Sequence, residues 1–206
     1  MIIRLSKKKL KLKSNKKITS LAPGIVLYEN IFDAKKFIEE LEKECNRPDG
    51  STYWDASLVG SGNYSEYRSS LSCDISLIVD PMKTHRLYPL FKDSIYLKID
   101  ECVKDYGLEY NINSFIHEPM SVLKYSNGGQ YRAHSDAVAN GISRVFSLVA
   151  CLDNTSTGGQ LDFPYFDLSI YLNPGSVVLF PSNYPYLHIA RPVVDGVKYS
   201  LVTWYS

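Results

Sequence analysis

The strongest constraint on the fold is a series of short apolar runs, separated by turn residues, in the second half of the chain. The runs occupy residues 120–125, 144–152, 160–163, 167–172, 176–180, 187–191 and 197–205. Turn residues lie between several of them, at Asn127-Gly128-Gly129, Gly158-Gly159, Pro174-Gly175 and Asp195-Gly196. Short strands at this spacing, with turn signals between them, are typical of an antiparallel barrel or jelly roll.

The first half of the chain has a different pattern, which predicts two helices. Asp33 can cap a helix whose apolar side chains recur at helical spacing as far as Cys45. A second helix is predicted over 88–106, after a loop at 46–70 that is rich in Gly, Ser, Asn and Tyr. The predicted fold is therefore α+β, with a β core at about 112–206 and the helices packed on one face of it as support.

The length favours one domain, because 206 residues provide one substantial core but are few for two. We expect a basic N-terminal arm at 1–20 and a single domain at 21–206. Residues 1–17 hold eight basic residues and no acidic one, and the rest of the chain holds 15 basic and 22 acidic residues. Such an arm could contact nucleic acid or an acidic partner. We favour a solvated arm or a lysine-protected edge strand, since the KLKLK run alternates at the strand period.

Targeting signals and cysteine spacing predict where the protein resides. The N-terminal residues lack the apolar region of a secretory signal, and no run reaches the roughly 18 apolar residues of a membrane span. The four cysteines are widely spaced and form no C-x-x-C motif. We therefore expect a cytoplasmic protein with reduced thiols and no membrane association.

One set of residues has the pattern of a metal site. His134 and Asp136 are separated by one residue, so in an extended segment both side chains reach the same side. His188 lies in a different predicted strand. Two imidazoles and one carboxylate that leave coordination positions open are the facial set of non-haem Fe(II) oxygenases. Lys198 lies in an otherwise apolar strand, where its charge needs an anionic partner such as the carboxylate of a keto acid.

Residues 125–205 resemble the 2-oxoglutarate- and Fe(II)-dependent dioxygenases, in particular the prolyl 4-hydroxylase-like branch. The matching pieces, in chain order, are Tyr125 to Tyr131 (YSNGGQY), His134-x-Asp136, Arg144, Cys151 to Asp153, Gly158 to Pro164 (GGQLDFP), Pro174-Gly175, Val177 to Ser182 (VVLFPS), His188, Pro192-Val193, Gly196, Lys198 and Trp204. Their ordered spacing over about 80 residues is more specific than any single motif. The first 110 residues match only loosely, and the resemblance implies a double-stranded β-helix (jelly-roll) core with supporting N-terminal helices.

The resemblance also implies roles for individual residues. His134, Asp136 and His188 bind Fe(II), and Lys198 pairs with the distal carboxylate of 2-oxoglutarate. Three further residues belong to the cosubstrate pocket: Tyr125 at the same end as Lys198, Trp204 on the pocket face of its strand, and Leu161 on the wall. Cys151 stands where some relatives carry another tyrosine that binds the cosubstrate. His85 and His117 lie outside the matched segment and are expected to be surface or loop residues.

The reaction implied is hydroxylation of a substrate C–H with O₂ and 2-oxoglutarate, with ascorbate as a supporting reductant. A peptide proline is the leading substrate. Arg144 is a candidate contact for a carboxylate or carbonyl of the substrate. The Tyr-rich segment 53–68 is a candidate lid over the pocket. A free amino acid or other small molecule is an alternative, as is a catalytically silent jelly-roll module. The basic arm could indicate a nucleic-acid demethylase. Relatives with that activity, however, bind the keto acid with a pair of arginines near the C-terminus, and residues 198–206 contain no arginine.

The segment between His188 and Lys198 permits one geometric test. If Asp195-Gly196 formed an ideal two-residue hairpin, His188 would pair with Thr203 and face away from Lys198. Both side chains can enter one pocket only if the register shifts by one residue. We therefore predict an odd loop or a bulge between the strands that carry His188 and Lys198.

Overall fold

The structure is a computed structural model. It describes residues 16–46, 48, 50, 52–57, 66–78, 87–113, 116–139 and 141–206. Most of the basic segment 1–17, part of the candidate lid and His85 therefore lie outside the described residues.

Seventeen strands and four α-helices are described. The strands are β1 Lys17–Ala22, β2 Ile25–Glu29, β3 Asp55–Ala56, β4 Arg68–Ser69, β5 Leu71–Asp74, β6 Ser121–Tyr125, β7 Gln130–His134, β8 Val138–Ala139, β9 Ile142–Ser143, β10 Phe146–Asn154, β11 Thr157–Gly158, β12 Leu161–Phe163, β13 Leu168–Ile170, β14 Val177–Pro181, β15 His188–Ala190, β16 Val193–Asp195 and β17 Lys198–Tyr205. The helices are α1 Lys35–Cys45, α2 Ile75–Ile78, α3 Leu87–Phe91 and α4 Leu97–Tyr110.

Two antiparallel sheets form most of the β half, and β11 with β16 and β8 with β9 form two small two-stranded sheets. The large sheet has the strand order β1-β2-β14-β10-β17-β6-β5-β3, and the small sheet has the order β13-β12-β15-β7-β4. Several neighbours within each sheet, such as β14 with β10 and β15 with β7, are far apart in the sequence, as expected when a chain alternates between two sheets. The prediction of an α+β fold with a double-stranded β-helix core is confirmed.

Strand alternation in the large sheet separates two apolar layers. Val177 and Leu179 of β14 pack into the cluster that contains the helices, whereas Val178 and Phe180 pack into a cluster with β12 and β13 of the small sheet. Successive side chains of a strand point to opposite faces, so each face of the large sheet is covered by a different partner. The helices therefore support one face and leave the other for the small sheet.

The two predicted helices are present. In α1 the buried side chains are those of Phe37, Ile38, Leu41 and Cys45, and the Asp33 carboxylate accepts a hydrogen bond from the Lys35 backbone N–H at 2.9 Å. The second helix runs from Leu87 to Tyr110, four residues beyond its predicted end, and includes a π-helical turn at Lys92–Tyr96. Asn111 ends it in a left-handed conformation with φ 56°. None of the helices in the described ranges has the length and apolar character needed to cross a bilayer.

The predicted arm and the predicted hairpin both differ from the structure. The arm boundary at residue 20 falls inside β1, which pairs with β2. An ion pair of 2.7 Å joins Lys17 of β1 to Glu29 of β2.

The prediction of a bulged hairpin between His188 and Lys198 was wrong, because the strands that carry these residues do not pair with each other. The strand of His188, β15, pairs with β12 and β7, whereas the strand of Lys198, β17, pairs with β10 and β6. The two residues lie in different sheets, so no common register is needed for them to face one pocket.

Candidate active site

The small sheet brings three candidate metal ligands together. His134 ends β7, Asp136 follows two residues later, and His188 opens β15 directly opposite His134 in the strand pairing. One carboxylate oxygen of Asp136 lies 3.7 Å from His134 Nε2, and the other lies 3.6 Å from His188 Nε2. All three ligand atoms lie within 4.8 Å of one another. His134 and His188 are 54 residues apart in sequence, and a direct cross-strand pair brings them together.

Backbone carbonyls orient both imidazoles. His134 Nδ1 lies 2.8 Å from the carbonyl oxygen of Arg132, and His188 Nδ1 lies 3.0 Å from that of Tyr186. Because a carbonyl oxygen can only accept, each Nδ1 carries the proton and donates it. The Nε2 atom of each neutral ring is then a lone-pair donor aimed toward Asp136.

The Asp136 carboxylate is buried and held by hydrogen bonds. Ser147 Oγ donates to it at 2.7 Å and is itself 2.8 Å from Ser182 Oγ. Burial opposes ionisation of Asp136, but His188, His134 and hydrogen bonds from Ser147 and Trp204 outweigh this effect and lower its pKa. Asp136 therefore remains a carboxylate at neutral pH and keeps its oxygens available as ligands.

These donors fit a divalent metal ion. Burial and the neighbouring His188 lower the pKa of His134 to about 3. His134 is therefore neutral at neutral pH, and its Nε2 keeps the lone pair that can bind a metal. Two neutral imidazoles and one carboxylate form the set that suits non-haem Fe(II) and leaves positions open for other ligands. The structure thus brings together the three residues that the sequence predicted as ligands.

Lys198 enters the same pocket from the large sheet. Its side chain is buried, and its ammonium donates to the carbonyl oxygen of Gly159 at 2.6 Å. Burial lowers the pKa of Lys198 to about 8. Within the described part of the chain no carboxylate lies within ion-pair distance of this ammonium. A buried cation with a carbonyl as its hydrogen-bond partner suits an incoming carboxylate.

The pocket between the sheets is lined by most of the other predicted site residues. Tyr125, Leu161 and Trp204 are on its wall, with Lys198, Ser200 and Val202 of β17. The alternation along β17 therefore puts Trp204 on the pocket face, as the sequence predicted. Cys151 is fully buried in the apolar cluster between the sheets and is not among the lining residues.

Arg144 does not line this pocket among the described residues. Its guanidinium forms two hydrogen bonds with the Glu118 carboxylate, at 2.5 and 2.6 Å, and lies 3.8 Å from the centre of the Trp204 ring. Two of its donors are thus used by Glu118, and the predicted contact with a substrate carboxylate or carbonyl stays a prediction. The Arg144 guanidinium packs on the Trp204 ring, and Trp204 is one of the groups that lower the pKa of Asp136. His117 is exposed, as expected.

Three residues at the site were not predicted from the sequence. Tyr131 stacks on His134 with ring centroids 3.5 Å apart, and the guanidinium carbon of Arg68 lies 4.7 Å from the centre of the Tyr131 ring. Ser147 holds Asp136. Ser147 gave no signal because it lies within the apolar run of β10, and Arg68 lies in a loop-like segment without periodicity. Tyr131 was part of the matched motif, but no role was assigned to it.

Comparisons with known proteins agree with this geometry. Residues 120–206 match the model of the 2OG-Fe(II) oxygenase superfamily. A PKHD-type hydroxylase from Crocosphaera subtropica is 24% identical over 155 residues, which cover 71% of this chain and 69% of the relative. The matched family segment contains the whole His134, Asp136 and His188 set. Over this segment the chain is similar to the 2-oxoglutarate- and Fe(II)-dependent oxygenases.

Solved oxygenase structures share the fold. A prolyl hydroxylase from Trichoplax adhaerens, in complex with a hypoxia inducible factor oxygen degradation domain peptide fragment, aligns with a TM-score of 0.64 at 18% identity over 88% of this chain and 83% of that chain. A Pseudomonas putida prolyl-4-hydroxylase aligns with a TM-score of 0.58 at 22% identity over 88% of this chain and 91% of that chain. At these identities the alignments support the double-stranded β-helix fold described above.

Proposed function

We propose that this oxygenase hydroxylates a C–H bond of a peptide substrate, with a proline residue as the leading target. The observation that carries the proposal is the combination of the His134, Asp136 and His188 set with the buried ammonium of Lys198 in one pocket. Similarity to hydroxylases of peptide prolines supports the peptide. The chain's own aromatic side chains around the pocket suit a proline ring, which packs well on aromatic surfaces.

In this proposal Fe(II) is held by His134 Nε2, His188 Nε2 and the Asp136 carboxylate. Bound Fe(II) supplies the positions at which 2-oxoglutarate and O₂ meet, and the overall reaction yields succinate, CO₂ and a hydroxylated substrate carbon. The carbonyls of Arg132 and Tyr186 keep both imidazoles in the tautomer that can bind a metal. Ser147 keeps the Asp136 carboxylate in its orientation.

The large sheet holds the cosubstrate in this proposal. Lys198 pairs with the distal carboxylate of 2-oxoglutarate in a pocket where a charge pair is stronger than in water. Tyr125 is buried beside Lys198 and limits the water that reaches this end. Leu161 and Trp204 line the pocket, and the Trp204 ring packs against Arg144.

The direct test is succinate formation with Fe(II), ascorbate and a panel of substrates. The panel contains proline-rich peptides, free amino acids including L-proline, and methylated oligonucleotides. We expect succinate above the substrate-free rate with proline peptides, and a mass increase of one oxygen atom in the peptide. Stimulation by free amino acids alone would overturn the peptide assignment but not the hydroxylase chemistry. Failure to bind Fe(II) and 2-oxoglutarate at all would support a silent jelly-roll module instead.

Two further expectations remain predictions. They are a single domain over 21–206 and a cytoplasmic location. A nucleic-acid partner for the basic N-terminal segment, which we do not favour, has no support from the comparisons. Removal of residues 1–15 leaves the described strands and the pocket intact, so we expect unchanged 2-oxoglutarate decarboxylation. Loss of that activity would give this segment a structural role.

A further inference from the structure

Trp204 lies at the metal end of the pocket wall. Lys198 and Trp204 of β17 both line the pocket, and the six residues from one to the other correspond to about 20 Å of extended strand. Trp204 pairs directly with Ser147 of β10, and the Ser147 hydroxyl donates to the candidate metal ligand Asp136 at 2.7 Å. The orientation of the Trp204 indole therefore determines the shape of the pocket beside the metal site.

An ion pair crosses β17 next to this indole. On the β6 side of β17, the backbone N–H of Glu118 donates to the carbonyl oxygen of Trp204 at 2.9 Å. On the β10 side, Arg144 is followed by Val145, whose backbone N–H donates to the carbonyl oxygen of Tyr205 at 2.7 Å. The Arg144 guanidinium donates two hydrogen bonds to the Glu118 carboxylate, at 2.5 and 2.6 Å. The two side chains thus join segments on opposite sides of the strand that carries Trp204.

The contact between Arg144 and Trp204 depends on the Glu118 carboxylate. The guanidinium carbon of Arg144 lies 3.8 Å from the centre of the Trp204 ring, which is a close cation–π contact. The Arg144 side chain is only 9% exposed, and that of Glu118 is 23% exposed. Removal of one partner from a buried ion pair leaves an uncompensated charge, which strongly favours exposure to water. Without its carboxylate partner, the guanidinium is therefore expected to leave the indole.

We propose that Glu118 is a positioning residue of the pocket, which keeps Arg144 against Trp204 and thereby fixes the wall beside the metal site. Glu118 is not among the described residues that line the pocket, so it acts through the other two side chains. A fixed indole keeps the metal end of the pocket in the shape that binds the substrate. This inference rests on the proposed function, because it takes the metal pocket as the site of reaction.

The fluorescence of Trp204 tests the positioning without any turnover. The chain has two tryptophans, Trp54 and Trp204, so Trp54→Phe leaves Trp204 as the single indole. In this background, Glu118→Gln and Arg144→Gln each remove the charge of one partner, and the double variant removes both. Quenching by acrylamide in the metal-free protein measures how freely Trp204 is reached by solvent. Thermal unfolding verifies that each variant is folded.

Asp162→Asn is the matched control for Glu118→Gln. Asp162 also accepts a hydrogen bond from an arginine, Arg191, and its side chain is 11% exposed. It is not among the described residues that line the pocket. The control therefore removes the carboxylate charge from a comparable ion pair on the small sheet and leaves the contact between Arg144 and Trp204 in place.

We expect quenching of Trp204 to rise by at least about 2-fold in Glu118→Gln and in Arg144→Gln, as expected from loss of a weak cation–π contact. The double variant should resemble either single variant, because residues that act as one unit are not additive. Asp162→Asn should resemble the parent protein. If Trp54→Phe does not fold, the same series is measured with both tryptophans present, and the signal of Trp204→Phe is subtracted.

The reaction provides a second readout. Glu118→Gln and Arg144→Gln are expected to raise KM for a peptide substrate by about 2- to 5-fold, because the fixed wall is populated less often. The dissociation constant of 2-oxoglutarate, measured by calorimetry on Mn(II)-loaded protein, should change less, since Lys198 lies at the other end of the wall. A larger increase in KM for Arg144→Gln than for Glu118→Gln would indicate a direct contact between Arg144 and the substrate. That result would overturn the inference that the pair acts as one unit.

Three results separate this inference from the proposed function. Unchanged quenching of Trp204 in both single variants would overturn the positioning role and leave the hydroxylase intact. Increased quenching with an unchanged KM would show that the pair contributes only to packing, which also overturns the role. If the wild type turns over none of the substrates in the panel, the proposed function fails, and quenching in the metal-free protein still decides whether Glu118 positions Trp204.

Discussion

Lys198 and Tyr125 are paired directly across β17 and β6, and the ammonium nitrogen of Lys198 lies 4.8 Å from the centre of the Tyr125 ring. This register determines which face of the large sheet carries the cation. Because side chains alternate along a strand, a shift of one residue would send Lys198 to the helical side of the sheet. The buried ammonium and the aromatic ring beside it are therefore positioned by the same backbone pairing.

Replacement of Lys198 by methionine is expected to weaken 2-oxoglutarate binding by at least about 30-fold, or about 2 kcal/mol. The reason is that the distal carboxylate loses the buried ammonium with which it pairs in the proposed function. Calorimetry of the metal-loaded protein measures the effect. Lys124→Met is the control, since Lys124 pairs with Glu42 at 2.9 Å outside the pocket. An unchanged affinity in Lys198→Met would show that another group is the anchor.

The affinity for 2-oxoglutarate is expected to fall as the pH rises above about 8. Burial lowers the pKa of Lys198 to about 8, and only the protonated amine attracts the carboxylate. Below this pH the affinity is therefore level, and above it the affinity decreases about tenfold per pH unit. Binding titrations from about pH 6.5 to about 9.5 cover the transition. Lys198→Arg stays charged throughout, so a decrease that persists in this variant would assign the titration to another group.

Alanine at His134, Asp136 or His188 is expected to abolish Fe(II)-dependent succinate formation. Metal affinity should fall by more than about 100-fold, because even residues behind the ligands contribute factors of 10–100. Metal analysis after gel filtration measures the loss directly. His117→Ala is the control, because His117 is exposed and distant in sequence from the set. Retention of stoichiometric Fe(II) by any of the three variants would contradict its assignment as a ligand.

Ser147→Ala is expected to reduce metal affinity by about 10- to 100-fold while the fold persists. Its hydroxyl donates to Asp136 at 2.7 Å, and without this bond the carboxylate loses its orientation. Ser169→Ala is a close match, because Ser169 makes a similar 2.6 Å hydrogen bond to the carboxylate of Asp162 outside the metal set. Equal metal affinity in the two variants would show that Ser147 contributes only to packing.

The strands of the second half could be predicted because apolar runs and turn residues indicate the same strand boundaries there. Leu161–Phe163 and Val177–Pro181 are short apolar runs bounded by glycine or proline turns, and both are strands at nearly the predicted bounds. The metal ligands could be predicted because the H-x-D spacing matches the strand period and His188 lies in the ordered motif series. These signals are local, and they do not depend on which strands become neighbours.

The pairing of strands could not be predicted from the same signals. His188 and Lys198 are only ten residues apart, yet their strands belong to different sheets. A hairpin was the simplest assumption, but the competing partners of β15 are β12 and β7, which lie far away in sequence. Arg68 was missed for a related reason. Its strand has two residues, so it has no period to detect, and its position depends entirely on pairing with Tyr131.

The opposition of His134 and His188 has a consequence for the lifetime of the protein. β7 and β15 pair over a few residues with an irregular register. A cation bound by both histidines would therefore crosslink the two strands. Ligand binding to the native state alone adds stability in proportion to the logarithm of metal concentration over the dissociation constant. Iron supply would then govern how long each molecule survives proteolysis as well as how fast it turns over.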